Sequence, residues 1–152
     1  MKRKEILPMI IDQFVGTWKL GSSEFRRSDG NAIYPYGKDA VGLIIYGADE
    51  LMSVRLMRSD RPAFASGDIL KGTVEEIKAA FEGYLAYFGT YDVNEQDGTV
   101  THHIQGSSFP NWVGQDQKRY FKFSDNRLTL STPPIPAGDT TVTGLLIWER
   151  AL

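Results

Sequence analysis

From residue 15 onward, apolar residues recur in short, largely alternating runs that turn residues cut at fairly even spacing. Runs of this length and period read as β-strands. Eight are expected, at roughly 16–27, 40–47, 51–58, 86–94, 99–106, 115–124, 127–132 and 140–150. One segment breaks the period. Thr73-Val74-Glu75-Glu76 has the form of a capping box, with Thr73 as N-cap and Glu76 reaching back to it. Ile77, Phe81, Tyr84 and Phe88 follow at helical spacing, which predicts an amphipathic helix over 74–86. A shorter helical turn is expected from Pro8, with Leu7, Ile10, Ile11 and Phe14 on one face.

The connections between the strands alternate in length. Tight turns fall at Gly47-Ala48-Asp49-Glu50, Glu95-Gln96-Asp97-Gly98 and Asp125-Asn126. Long connections fall at 28–39, 59–85, 107–114 and 133–139. In an antiparallel meander, alternate connections lie at opposite ends of the sheet. Every tight turn therefore sits at one end and every long loop at the other. The start of the first strand and the end of the last also fall at the tight end, so these two strands can pair and close the sheet. The expected fold is mainly β: an eight-stranded antiparallel up-and-down barrel, shaped as a cup. A short N-terminal helix and one amphipathic helix between the third and fourth strands complete it. Eight strands leave room inside for side chains or one small ligand.

Composition narrows the reading. The chain has 152 residues, 41% hydrophobic and 12% aromatic, no cysteine, and a formal net charge of −2. That length suits one domain over 1–152 with a sizeable core. Without cysteine there is no disulfide scaffold, thiolate metal site or cysteine nucleophile. The charge balance offers no electrostatic footprint for nucleic acid. The apolar runs fall far short of the roughly 20 residues a membrane helix needs. Lys2, Arg3 and Lys4 before Ile6–Ile11 look faintly like an export signal. The stretch is short, Asp12 interrupts it, and no small-residue cleavage site follows, so the cytoplasm is the expected compartment.

Gly16-Thr17-Trp18 stands at the closed end, and Trp148-Glu149-Arg150 ends the last strand. This resembles the lipocalin pattern, a Gly-x-Trp on the first strand whose indole packs against an arginine at the closing strand. Trp18 would plug the floor and Arg150 would lie across its ring. The chain is similar over nearly its whole length to the bacterial and fungal lipocalin-like domain proteins. The matching segments include Gly42-Leu43-Ile44-Ile45-Tyr46, Met52-Ser53-Val54-Arg55-Leu56-Met57 and Tyr87-Phe88-Gly89-Thr90-Tyr91. They continue through Val100-Thr101-His102-His103, Pro110-Asn111-Trp112-Val113-Gly114 and Leu128-Thr129-Leu130-Ser131-Thr132. The chain is expected to depart from secreted lipocalins: its first residues do not read as a signal peptide, it has no cysteine for disulfides, and its main helix is expected between the third and fourth strands. The resemblance implies a barrel that binds a small hydrophobic ligand. Related barrels in secondary metabolism include cyclases and isomerases.

Side chains of a strand alternate between the two faces. With Trp18 and Arg150 inward, parity turns Met52, Val54 and Leu56 inward, with Val100, His102 and Ile104. It also turns in Gln117, Arg119, Phe121 and Phe123. Symmetric hairpins then pair Tyr91 with His102 and His102 with Arg119. A one-residue slip would put His103 inside instead. Tyr91, His102 and Arg119 are the candidates for proton transfer and for polarising a carbonyl or holding a carboxylate. The same three groups also suit polar anchoring of a ligand, or a satisfied buried network. Glu24 is inward by parity and is a candidate base. His102 and His103 point to opposite faces, so a metal site is not expected. Tyr34, Tyr36, Phe64, Phe109 and Trp112 gather at the mouth; Tyr34, Tyr36, Phe64 and Trp112, with Met52 and Phe121, are the candidate ligand-binding residues.

The expected function is binding of a small hydrophobic ligand that bears a carbonyl or carboxylate. The alternative is a cofactor-free isomerase, cyclase or dehydratase acting on such a compound. No cofactor is expected. The expected partner is a small molecule rather than nucleic acid or a membrane, and the protein is expected as a monomer or homodimer.

Overall fold

The structure, a computed structural model, describes residues 9–151. The basic residues 2–4, with Leu7 and Pro8, lie outside them. The chain forms α1 (Ile10–Phe14), β1 (Gly16–Arg27), β2 (Ala32–Ile33), β3 (Val41–Tyr46), β4 (Leu51–Met57) and α2 (Val74–Glu82). These are followed by β5 (Tyr84–Asn94), β6 (Thr99–Ser107), a 3₁₀ turn (Pro110–Trp112), β7 (Asp116–Ser124) and β8 (Arg127–Ser131). The last strands are β9 (Ile135–Ala137) and β10 (Thr140–Arg150). Among the described residues no helix is long and apolar enough to cross a membrane.

Strands β1, β3, β4, β5, β6, β7, β8 and β10 pair in that order, all antiparallel, and β1 also pairs with β10. The sheet is therefore a closed eight-stranded barrel. Closure satisfies the edge groups that an open sheet would leave unpaired. Two short strands, β2 and β9, form inside the expected loops and extend β1 and β10 at the open end.

The closed end is built around Trp18, which pairs with Ile44 on one side and Arg150 on the other. Its indole N–H donates to the Phe14 carbonyl at 2.9 Å, tying α1 beneath the barrel. Phe14 is fully buried and meets Tyr46, Phe121 and Phe123 edge-on. The Arg150 guanidinium lies 4.1 Å from the centre of the Trp18 ring. It also donates to the carbonyls of Val15 at 2.9 Å and Gln13 at 2.6 Å. Gly16 makes this possible. Its φ is +133°, and a Cβ there would stand 2.8 Å from Arg150 Nη1.

Two irregularities re-aim the walls. A bulge in β1 between Leu20 and Ser22 shifts the parity, so Trp18 faces in below it and Ser23 and Phe25 face in above it. A second lies in β6, where Gln105 is the extra residue opposite Phe88 and Gly89 of β5. Gly89 crosses β6 so closely that a Cβ would lie 1.8 Å from the His103 carbonyl oxygen.

The amphipathic helix is shorter than its sequence pattern predicts. It begins at the capping box, where Thr73 Oγ1 accepts from the Glu76 N–H and Glu76 accepts from the Thr73 N–H. It stops at Glu82, not at 86, with Gly83 donating to the Ala79 carbonyl at 3.1 Å. Tyr84–Tyr87 instead ladder onto Met57–Val54. Aromatic residues fit a pleated surface well, and the extended pairing with β4 outweighs a fourth helical turn. Tyr84 and Phe88 therefore leave the helical stripe. Val74, Ile77 and Phe81 remain 78%, 53% and 49% exposed, so α2 rests on the rim with none of its residues buried.

Candidate functional site

Above the floor the barrel holds a cavity of about 290 Å³ that opens among the long loops. Its wall is largely aliphatic, with Ile44, Val54, Leu56, Leu130, Val142 and Leu146. Its mouth is aromatic, with Tyr36, Phe109 and Trp112, and Phe81 and Glu82 of α2 stand at the rim. The volume is near the low end of small-molecule sites, roughly 300–1,000 Å³.

A polar cluster stands in this apolar surround. His102 of β6 is 1% exposed. Its Nε2 lies 2.7 Å from the Tyr46 hydroxyl on β3, and its Nδ1 lies 2.7 Å from the Tyr87 hydroxyl on β5. Burial holds the His102 imidazole well below the ordinary histidine range, and the positive charges of Arg119 and His103 add to this. The ring is therefore neutral and carries one N–H. Three groups thus share three protons, and two hydrogen bonds use two of them. One phenolic O–H is left to donate elsewhere. Tyr87 lines the cavity whereas Tyr46 is enclosed below it. The arrangement that leaves no enclosed donor unpaired has Tyr46 donating to Nε2 and Nδ1–H donating to Tyr87. The free O–H then belongs to Tyr87 and faces the cavity. Burial raises both phenols above the ordinary tyrosine range, Tyr46 well above it, so both keep their protons.

Arg119 of β7 completes the cluster. It is 9% exposed, lines the cavity and donates from Nη1 to the Lys118 carbonyl at 2.9 Å. Its charge pulls against the burial that raises Tyr87. Among the described residues no carboxylate lies within ion-pair distance of it. Trp148 adds another donor. It lines the cavity, is 1% exposed, and its indole N–H has no acceptor.

The residues singled out from sequence are distributed as follows. Tyr91 pairs with His102 in the backbone ladder, but its hydroxyl turns to the floor and donates to the Gly47 carbonyl at 2.8 Å. Tyr46 and Tyr87, not Tyr91, hold the imidazole. His102 pairs across β7 with Gln117, and Arg119 pairs with Val100. The two-residue offset follows from the loop, where Ile104 bonds both Gly114 and Gln115. An even offset keeps His102 and Arg119 on the inner face. Glu24 is not inward: the β1 bulge turns it outside, where it meets Arg26 at 3.2 Å. His103 also faces out, between Asp92 and Asp116, and bonds to both carboxylates raise its pKa.

Tyr36 and Trp112 line the cavity. Met52 and Phe121 belong to the core beneath it, Phe121 against Phe14 at 5.0 Å. Tyr34 is exposed beside Lys38, and Phe64 packs under its own loop against Gly72 and Ile77. Sequence reasoning missed Tyr46, Tyr87 and Trp148. Tyr87 shares parity with Tyr91, and Tyr46 with Ile44, so strand alternation contains the signal for both.

Two comparisons bear on what this barrel is. A family model described as a lipocalin-like domain matches residues 15–151. A 4'-hydroxy-3'-methoxypropiophenone carrier protein of Aspergillus oryzae is 33% identical over 106 residues, spanning 65% of this chain and 96% of that protein. With its closed eight-stranded wall and a match across nearly its whole length, the chain belongs to the lipocalin-like domain family.

Proposed function

We propose that the chain binds and carries a small, largely apolar compound bearing a carbonyl or carboxylate. The observation that carries this is a largely apolar cavity of about 290 Å³ into which Arg119 and the Tyr87 hydroxyl bring donors, with no carboxylate within ion-pair distance of Arg119 among the described residues. A ligand oxygen supplies the acceptor that the protein does not. Aromatic side chains at the mouth suit a flat ring. The compound for which the fungal relative is named a carrier is an aryl ketone, which has both features.

Titration with 4'-hydroxy-3'-methoxypropiophenone, read by tryptophan fluorescence, tests the reading. Saturable binding is expected, and filling the cavity with Val54→Trp abolishes it. Absence of saturable binding by this and other aryl ketones overturns the proposal.

A second reading, a cofactor-free isomerase, cyclase or dehydratase, is favoured by the Tyr46–His102–Tyr87 chain beside Arg119. A phenol and a guanidinium together polarise a carbonyl, and an imidazole behind the phenol relays a proton. In this reading Tyr87 takes the role first assigned to Tyr91. Turnover of a bound ketone that Tyr87→Phe removes while binding persists supports it. Recovery of every bound ligand unchanged sinks it.

A further inference from the structure

We propose that the cavity holds its ligand as an oxyanion, so that an acidic phenol or enol gives up its proton on entry. This rests on the reading of the cavity as a ligand site and adds the ionisation state and chemical class of what occupies it.

The argument begins with charge. A buried guanidinium is costly unless an anion or several acceptors compensate it. Arg119 has one backbone carbonyl at 2.9 Å, a weak contact to Gln117 at 3.4 Å and the neutral Tyr87 hydroxyl beside it, and no carboxylate partner among the described residues. The carboxylate lining the cavity, Glu82, stands exposed at the rim and faces Lys78 at 3.9 Å. Tyr36, Tyr84, Tyr87 and His102 also line the cavity and Tyr46 stands behind His102; burial keeps Tyr36, Tyr46 and Tyr87 protonated and His102 neutral at neutral pH. The compartment therefore carries one positive charge with no anion beside it, and the Tyr87 donor adds to its preference for negative charge.

The proton has no home inside. His102 is bonded at both nitrogens to phenols and faces Arg119, so it does not retain an added proton. The step is ionisation of the ligand O–H: the ligand keeps the electron pair and the proton leaves to water. No other bond changes. A carboxylic acid is already ionised at neutral pH and would release nothing. A phenol or enol conjugated to a carbonyl titrates closer to neutrality. Its charge is delocalised over an apolar skeleton, which suits walls made of Val54, Leu56, Leu130 and Trp112.

The test uses 4-nitrophenol, whose phenolate absorbs at longer wavelength than its neutral form, and its methyl ether, 4-nitroanisole, which cannot ionise. Below its free pKa, 4-nitrophenol in solution is mostly neutral. Bound to the protein it is expected to show the phenolate band, with release of one proton per ligand. Arg119→Gln is expected to remove that band and weaken 4-nitrophenol at least about tenfold, while 4-nitroanisole changes less than about twofold. Arg119→Lys, which keeps the charge, is expected to retain part of the band. A neutral spectrum for bound 4-nitrophenol overturns the inference and leaves the carrier reading standing if either compound binds. A phenolate band that survives Arg119→Gln removes Arg119 from it. Binding of neither compound overturns the inference, while the aryl-ketone titration decides the carrier reading separately. The wild-type spectrum decides the matter even if Arg119→Gln fails to fold.

Discussion

His102 Nδ1 and the Tyr87 hydroxyl stand 2.7 Å apart across the inside of the barrel, joining β6 to β5 through their side chains. The contact orients the Tyr87 proton toward the cavity. Tyr87→Phe leaves a buried N–H without an acceptor, which costs about 1–3 kcal/mol. It also removes one donor to the ligand. Tyr46→Phe carries a comparable stability cost and leaves the cavity donor in place. Urea unfolding is expected to show both variants destabilised. Ligand titration is expected to show affinity lost mainly in Tyr87→Phe.

Arg150 ties the closing strand to Trp18 and to the carbonyls of Val15 and Gln13. Arg150→Ala loses a cation–π contact and two charged hydrogen bonds, for an expected cost of about 2–4 kcal/mol. Gly16→Ala adds a Cβ 2.8 Å from Arg150 Nη1 at a residue of φ +133°. That strain is worth about 1–3 kcal/mol. Thermal melts are expected to place both variants well below wild type. A wild-type melting temperature for Gly16→Ala would refute this account of the floor.

The two neighbouring histidines oppose each other in pH dependence. His102 is held below its ordinary value of about 6.5, so on acidification the unfolded chain takes up its proton first. Its contribution makes stability fall as pH drops below about 6.5, until the folded pKa is reached. His103 is held above the ordinary value by bonds to Asp92 and Asp116. Its contribution is fully present below about 6.5 and is lost as pH rises through the raised folded value. His102→Gln is expected to remove the acid-side loss, and His103→Gln the gain on acidification. Urea midpoints from about pH 5 to about pH 8 measure both slopes.

Helix α2 is the least anchored regular element beside the cavity. Its start depends on Thr73 and Glu76, and none of its residues is buried. Thr73→Ala is expected to cost the helix about 1 kcal/mol. Amide exchange over 74–82 is expected to accelerate while the barrel strands keep their protection. Ligand release is expected to quicken, since Phe81 and Glu82 line the mouth. Unchanged exchange in α2 would show that the capping box does not hold it.

Some of this molecule is legible in the chain alone. Period-two runs mark the eight barrel strands, and the alternation of tight turns with long loops identifies the closed end. The capping box locates the first residue of α2 correctly. The inward face of His102 and Arg119 follows from alternation, since an even register offset preserves it. These features depend on neighbours within one strand or one turn, and local patterns record local constraints.

Three matters needed the assembled barrel. The bulge between Leu20 and Ser22 turned Glu24 outward, and nothing in the run Gly21-Ser22-Ser23 marks it before β10 is laid alongside. The end of α2 was set by competition with β4 for Tyr84–Tyr87, a contest between segments far apart in sequence. The partners of His102 came from β3 and β5, at sequence separations of 56 and 15 residues. The sequence by itself determined which residues face inward over most of the wall, because that is a property of each strand's own period. Only the tertiary structure decided which inward groups meet, because height and register are set by hydrogen bonds between strands.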